Sequence, residues 1–274
     1  MTSYPLVERA APQQLTIATV TFAASRGAYD AFMGRYADKL APRLIAFAGV
    51  QPGDGVLDVG CGPGSLTEAL GEVVGPEHVA AVEPSESFAA ATAERVPAAD
   101  VQLGAAESLP WPADTFDVAL AQLVVNFMTD ADAGVAEMRR VVRPGGTVAA
   151  CTWDYSGGMT MLRTFWDAAL SLDPDTPDEG RTMRYNDPDV LRELWLGAGL
   201  EAVEGDELVV ETSYVDFDDF WEPFTGGVGP AGAYVSSLDP DRRAALREEC
   251  RRRLGDPGGA FTLSAKAWAV KGRA

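Results

Sequence analysis

The groups best able to do chemistry in this chain cluster around residue 60. The apolar pair Val56-Leu57 ends in Asp58. Val59 leads into Gly60-Cys61-Gly62-Pro63-Gly64, and Ser65 to Leu70 reads as the start of a helix. Strand, glycine turn and helix together let a ligand lie against bare backbone at a helix N-terminus. A second apolar run, Val79 to Val82, ends in Glu83. A carboxylate there can accept both hydroxyls of a ribose, because its two ionised oxygens are acceptors only.

A dinucleotide site uses the same logic, so the glycines alone decide little. The spacing here is Gly-x-Gly-x-Gly, and Ser65 stands where the dinucleotide pattern has its third glycine. Asp58 would repel a pyrophosphate but would attract an ammonium group. Both details favour S-adenosylmethionine (SAM), which has an amino-acid tail and no phosphate. A NAD-linked oxidoreductase remains the less favoured alternative.

These residues need a scaffold. Phe32, Tyr36, Leu40 and Leu44, spaced by fours, predict a helix over 29–47. Strands are expected at 55–60, 79–83, 101–103, 116–121 and 147–153, with helices at about 65–74 and at 130–142 between them. A further helix opens at Pro84-Ser85-Glu86, with Pro in its first turn. Phe116 to Ala121 is almost wholly apolar, which suggests burial on both faces. Alternating strands and helices mean a parallel sheet covered on both sides, an α/β fold. Ligands then sit beyond the C-terminal strand ends, where Asp58, the glycines and Glu83 fall.

The rhythm changes after Trp153. Residues 154–186 and 214–260 read as insertions forming a cap. A helix at 187–198, a strand at 208–212 and a last strand at 261–271 interleave with them. Phe165, Trp166, Tyr214, Phe217, Phe220, Trp221 and Phe224 supply cap core, with about a third expected to line a substrate pocket. Asp218, Asp219 and Glu222 read as solvated. Residues 1–27 form an N-terminal arm, and 1–274 reads as a single domain.

Composition narrows the class. The chain has 274 residues, 47% apolar, with a net charge of −19. That charge argues against nucleic acid and anionic membranes, which need clustered cations. The arginines between Arg242 and Arg253 are interrupted by Glu248 and Glu249 and suit a solvated helix face. No apolar run reaches the ~18 residues of a membrane span. The first residues do not resemble a secretory signal, so a cytoplasmic monomer or homodimer is expected. Three scattered cysteines and one histidine, His78, leave no metal site. His78 falls at the strand end away from the ligand. Cys61 has no His or Lys beside it to lower its pKa, so it reads as a small packed loop residue rather than a nucleophile.

The run Val56 to Gly64 resembles the glycine motif of class I SAM-dependent methyltransferases. Ala105-Ala106-Glu107-Ser108-Leu109-Pro110-Trp111, followed by Phe116-Asp117-Val118, is similar to a second signature of their small-molecule group, which includes quinone-biosynthesis enzymes. Arg140-Val141-Val142-Arg143-Pro144-Gly145-Gly146 resembles the segment before their fifth strand. The likeness covers about residues 29–153. It implies a Rossmann-like doubly wound sheet of order 3-2-1-4-5-7-6, with strand seven antiparallel.

The resemblance also implies roles. Asp58 and the loop Gly60-Cys61-Gly62 would hold the methionine part of SAM. Glu83 would bind the ribose, and Pro84 would pack near the adenine. Ala106 and Glu107 would face the adenine edge. Gln122 and Leu123 would lie under the sulfonium. Tyr29, Arg35 and Tyr36 would close over the cofactor. S-adenosylhomocysteine (SAH) would be the product and a small molecule the acceptor. The chain departs from the pattern at Ala105, where many relatives have Asp, and at Asn126, where relatives often have His.

Methyl transfer needs in-line alignment and exclusion of water, and a base only if the nucleophile is protonated. The base candidates are Asp154 and Tyr155, which directly follow strand five, and Tyr185. The lack of a clear base leaves open a protein that uses the SAM fold without methylating, as a cyclase or a binding scaffold.

Overall fold

The computed structural model describes residues 26–274. The N-terminal arm expected at 1–27 lies almost wholly outside the described residues. In chain order the elements are α1 (Arg26–Tyr29), α2 (Arg35–Ala48), β1 (Val56–Val59), α3 (Ser65–Val74), β2 (Val79–Glu83), α4 (Glu86–Arg95), β3 (Asp100–Leu103), β4 (Phe116–Gln122), α5 (Ala131–Val141) and β5 (Val142–Trp153). There follow α6 (Thr160–Leu172), α7 (Glu179–Thr182), α8 (Pro188–Gly197), β6 (Glu201–Tyr214), α9 (Phe217–Trp221), α10 (Gly229–Ser237), α11 (Pro240–Arg253) and β7 (Phe261–Arg273).

The seven strands form one sheet in the order β3-β2-β1-β4-β5-β7-β6. The first five run parallel. β7 is antiparallel to β5 and to β6. This is the expected Rossmann-like topology. β1 and β2 are buried along their whole length, as strands covered by helices on both faces must be. Side chains alternate between two apolar layers. Val56 faces the layer containing α2 and α3, while Leu57 and Val59 face the layer containing α5 and α8. Asp58 shares the parity of Val56, so the strand aims it towards α3.

Several elements begin where side chains can satisfy free backbone N–H groups. Asp130 caps α5 by accepting from Ala133 N at 3.0 Å. Asp187 caps α8, which has Pro188 in its first turn, and Asp239 caps α11 ahead of Pro240. Each pairing is a familiar helix start. Pro84 lies outside α4, preceding the cap residue Ser85. The first-turn position expected for it belongs to Glu86.

β6 begins at Glu201, seven residues before the strand expected at 208–212. From Leu208 onward its burial alternates, with Leu208, Val210, Thr212 and Tyr214 inside. Before that it is polar and exposed, with a register shift between Glu201 and Glu204, so no period of two could mark it. β5 likewise begins at Val142, five residues before the strand expected at 147–153. Val142 pairs with Phe116, and the register then shifts before Thr147.

The segments after β5 and after β6 share one aromatic core with α2. Phe165 stacks on Phe224 at 4.5 Å, and Phe32 meets Phe224 edge-on at 5.1 Å. Tyr214 packs on Phe220 at 5.6 Å and on Phe261 at 5.2 Å. Tyr36 and Tyr214 share a buried hydroxyl–hydroxyl hydrogen bond of 2.7 Å. These rings pack against one another; none of the seven aromatics singled out in the sequence lies on the cavity wall. The expectation that about a third would line a pocket is overturned, because ring-on-ring packing uses their faces.

Candidate functional site

A cavity of about 350 Å³ opens at the C-terminal edge of the parallel strands. Tyr29, Asp58, Gly60, Cys61, Gly62, Glu83, Pro84, Ala106, Glu107, Gln122 and Leu123 all lie on its wall.

The glycine turn is held by backbone. Gly60 N and Cys61 N both donate to Val82 O, at 2.8 and 3.1 Å, which ties the loop to the end of β2. Gly60 has a φ of 70°, and a Cβ there would come within 2.6 Å of both Val124 methyl carbons. Only glycine fits that close approach. Gly62 also has positive φ, but a Cβ there would meet no atom within 4 Å. Its place on the wall therefore leaves room for a ligand against the backbone.

Glu83 organises the same loop. One carboxyl oxygen accepts from Gly62 N and the other from Ser85 N, each at 3.0 Å. Burial nevertheless pushes its pKa upward. Each oxygen keeps a second lone pair for a ligand hydroxyl.

Asp58 is 1% exposed. Thr67 Oγ donates to its Oδ2 at 2.6 Å, and its Oδ1 is buried without a partner. Burial is the main force raising its pKa to about 7, opposed by the Thr67 hydrogen bond and aided by Glu83. Two further buried atoms on the wall lack partners, Ser65 Oγ and Gln122 Oε1. The amide of Gln122 is oriented by its Nε2, which donates to Ala37 O at 3.2 Å. Leu123 sits beside it in left-handed backbone, φ 63°, a conformation held by its N–H bond to Cys151 O at 2.9 Å and characteristic of functional strand ends.

Buried groups without partners are costly in a folded protein. Two orphaned acceptors and a hydroxyl beside a glycine loop fit an amino-acid head group, whose ammonium has three protons to donate. They do not fit a pyrophosphate. Among the described residues no Lys, Arg or His lies on the wall, and Asp58, Glu83 and Glu107 do. The residues present therefore suit SAM and not a dinucleotide.

Glu107 spends one oxygen on the backbone before α5, accepting from Thr129 N at 2.8 Å and Asp130 N at 3.2 Å. Ala105, the departure from the family pattern, is on the wall as well. The Cys61 thiol is pushed well above its ordinary pKa by burial, so it stays protonated. His78 is exposed at the start of β2.

Arg35 and Tyr36, expected to close over the cofactor, are not on the wall. Arg35 pairs with Asp219 at 3.0 Å and lies over the Tyr214 ring at 4.6 Å. Tyr36 is fully buried against Tyr214 and Trp153. The helical twist turns them towards β6 and α9, while Tyr29, Phe32 and Met33 face the cavity.

The three base candidates separate. Asp154 is off the wall; it accepts from the backbone of Ser156 and Gly157 and pairs with Lys266 at 3.2 Å. Tyr185 is off the wall too, with φ 57° and its ring under Arg184. Tyr155 is on it, 4% exposed, with Asn126 Nδ2 donating to its hydroxyl at 3.3 Å. Burial, with the nearby Glu179, pushes the Tyr155 pKa far upward. It is a neutral phenol that can donate a hydrogen bond and cannot serve as a base near neutrality.

Sequence reasoning missed Ser65 as a site residue, Thr67 and Glu179. Thr67 lies nine residues after Asp58 on α3, a spacing that could have been read as hydroxyl-to-carboxylate. Glu179 carries no local signal in Thr176-Pro177-Asp178-Glu179-Gly180. Among the described residues no helix is long and apolar enough to cross a membrane, and no cluster of metal-binding side chains occurs.

A methyltransferase-domain family model matches residues 57–150. Over 178 residues the chain is 40% identical to a ubiquinone/menaquinone biosynthesis C-methyltransferase from Burkholderia vietnamiensis, covering 58% of this chain and 72% of that one. It spans about half the length, 55%, of two other curated relatives that it matches. Among solved structures, a protein from Anaeromyxobacter dehalogenans assigned to the type II methyltransferases superposes with a TM-score of 0.61, at 24% identity over 86% of this chain and 95% of that one. A phosphoethanolamine N-methyltransferase from Haemonchus contortus, solved with SAH, gives 0.55 at 14% identity, over 90% of this chain and 56% of that one. These two share the fold. Sheet order, glycine loop and the Burkholderia likeness converge: the chain belongs to the class I SAM-dependent methyltransferase family.

Proposed function

We propose that the chain transfers a methyl group from SAM to a small-molecule acceptor inside this cavity. The observation that carries the reading is the pair of buried, unpartnered acceptors, Asp58 Oδ1 and Gln122 Oε1, beside the glycine loop. In this reading Asp58 binds the ammonium, and Ser65 Oγ together with the Gly60–Gly62 backbone receives the rest of the amino-acid tail. Glu83 accepts from the ribose hydroxyls. Pro84, Ala106 and Glu107 surround the adenine. Gln122 and Leu123 lie beneath the sulfur, and Tyr29 covers it.

When bound, SAM supplies a methyl carbon activated by positive sulfur. The chain's own task is to orient the acceptor and keep water out. Phe32, Met33, Trp153, Leu162 and Val228 supply an apolar wall for that. The likeness to a quinone-biosynthesis enzyme supports a small, largely apolar acceptor. We read residues 154–186 and 214–260 as one cap on a single domain. We also read the chain as a cytoplasmic monomer or homodimer that binds no nucleic acid.

Calorimetry tests the cofactor. One SAH is expected to bind per chain, with no heat from NAD under the same conditions. Binding of NAD, or no binding of SAH, would sink the proposal.

A further inference from the structure

Among the described residues, four acidic residues line the cavity. Asp58, Glu83 and Glu107 are occupied with the cofactor half. Glu179, on α7 in the cap, belongs to neither the glycine loop nor the strand edge. It is 4% exposed. Its Oε2 accepts from Trp166 Nε1 at 2.6 Å. Its Oε1 has no protein partner among the described residues.

Arg163, the cation that acts on Glu179 from a distance, is paired elsewhere. Arg163 pairs with Asp178 at 2.9 Å and Asp167 at 2.8 Å, and also donates to Tyr155 O. Asp178 is engaged by Arg163 and, at 3.7 Å, by Arg181. Tyr155 is the titratable group on the wall within electrostatic reach of Glu179, and it also feels Tyr29. A buried carboxylate with a single indole donor is poorly paid back as structure. A glutamine would make the same indole bond without a charge. What only a carboxyl adds at this position is a proton site.

Resting on the methyl-transfer reading above, we propose that Glu179 is the general base. Its substrate class would be small apolar acceptors whose nucleophilic oxygen carries a proton, as in a phenol or enol. The O–H proton moves to Glu179 Oε1. The O–H electron pair stays on oxygen; with SAM bound it would form the new bond to the methyl carbon as the carbon–sulfur bond broke, that bond's electron pair going to sulfur and leaving neutral SAH. The carboxylate ends as the neutral acid and returns its proton to water when product leaves. An acceptor that is already anionic needs no base, and would find no Lys, Arg or His on this wall among the described residues. The apolar surroundings suit a neutral acceptor. Burial lifts Glu179 to about 7, against the Trp166 hydrogen bond, with Asp178 raising it further and Arg163 opposing. That places it where a base is effective near neutral pH.

The test uses SAH-loaded protein and 2-naphthol, a flat fluorescent phenol that stays protonated below pH 8. In the unsubstituted protein its affinity is expected to rise roughly tenfold from pH 6 to 8, as Glu179 loses its proton and becomes an acceptor. The ether 2-methoxynaphthalene should show no such rise. In Glu179→Gln the 2-naphthol affinity should be flat with pH, while SAH binds within about twofold of normal, which also shows that the variant is folded. Absence of 2-naphthol binding, a flat pH response in the unsubstituted protein, or an equal rise in the variant would each overturn the assignment. If the unsubstituted protein fails to bind SAH, it is the cofactor reading that falls.

Discussion

At the strand edge, Asp58, Gly60, Gly62 and Glu83 come from one strand–turn–helix–strand unit and are fixed by backbone hydrogen bonds. Across the cavity, Tyr155, Leu162 and Val228 come from separate segments and are fixed by side-chain packing, and Glu179 is held by the hydrogen bond from Trp166. The strand-edge groups are aligned before any ligand arrives, since sheet register sets them. These other groups depend on how the segments after β5 and after β6 pack against α2. In the proposed reading, a family can keep its donor site while changing its acceptor by altering these segments, which is how one fold hosts many substrates.

The sharpest way to break that contrast is to remove charge from the strand edge. Asp58→Asn keeps the shape and leaves the orphaned oxygen unable to bear charge. Affinity for SAH is expected to fall roughly 10- to 100-fold by calorimetry, the effect of losing a charged hydrogen bond. Apo stability at pH 8 should rise, because a buried unpaired carboxylate is removed. An affinity within twofold of normal would show that Asp58 does not meet the ammonium.

The same contrast governs what could be read beforehand. The strand-edge residues and the helix at 65–74 were legible because glycine spacing and apolar runs are local signals, while the sheet order followed from the family resemblance. The cap was not. Glu179 reaches the cavity only because Trp166, thirteen residues earlier, turns back to meet it. Arg35 and Tyr36 lie in a stretch that resembles a lid, yet pair with Asp219 and Tyr214 some 180 residues later. The first half of β6 had no alternation to find, and Asp154 follows β5 as expected yet turns to Lys266. Long-range partners decide these positions, and no spacing rule reports them.

Acid titration compares the two regions in one experiment. Asp58 and Glu179 are both raised to about 7 in the fold, against ~4 in an unfolded chain. Between those values the folded state binds more protons than the unfolded one, so stability falls as pH rises from about 4 to 7 and is level above. Apo protein is expected to melt roughly 5–10 °C lower at pH 8 than at pH 5. Asp58→Asn and Glu179→Gln should each flatten the slope, and saturating SAH should remove only the share of Asp58. A slope unchanged in both variants would place the titrating groups elsewhere.

The smallest effect is expected at Arg35, which tests where the boundary between the two regions runs. Its guanidinium is about a quarter exposed, pairs with Asp219 and stacks over Tyr214. A partly solvated ion pair contributes ~0.2–1 kcal/mol and a cation–π contact ~0.5–1 kcal/mol. Both are screened here, so Arg35→Ala should cost about 1 kcal/mol in urea unfolding. SAH affinity should stay within about twofold, because the residue fastens α2 to α9 and does not reach the cavity wall. A tenfold loss of SAH affinity with unchanged stability would instead mean that α2 rotates on binding and brings Arg35 over the cofactor, as the family resemblance implied. In that case the cap and the strand edge would form one closing unit.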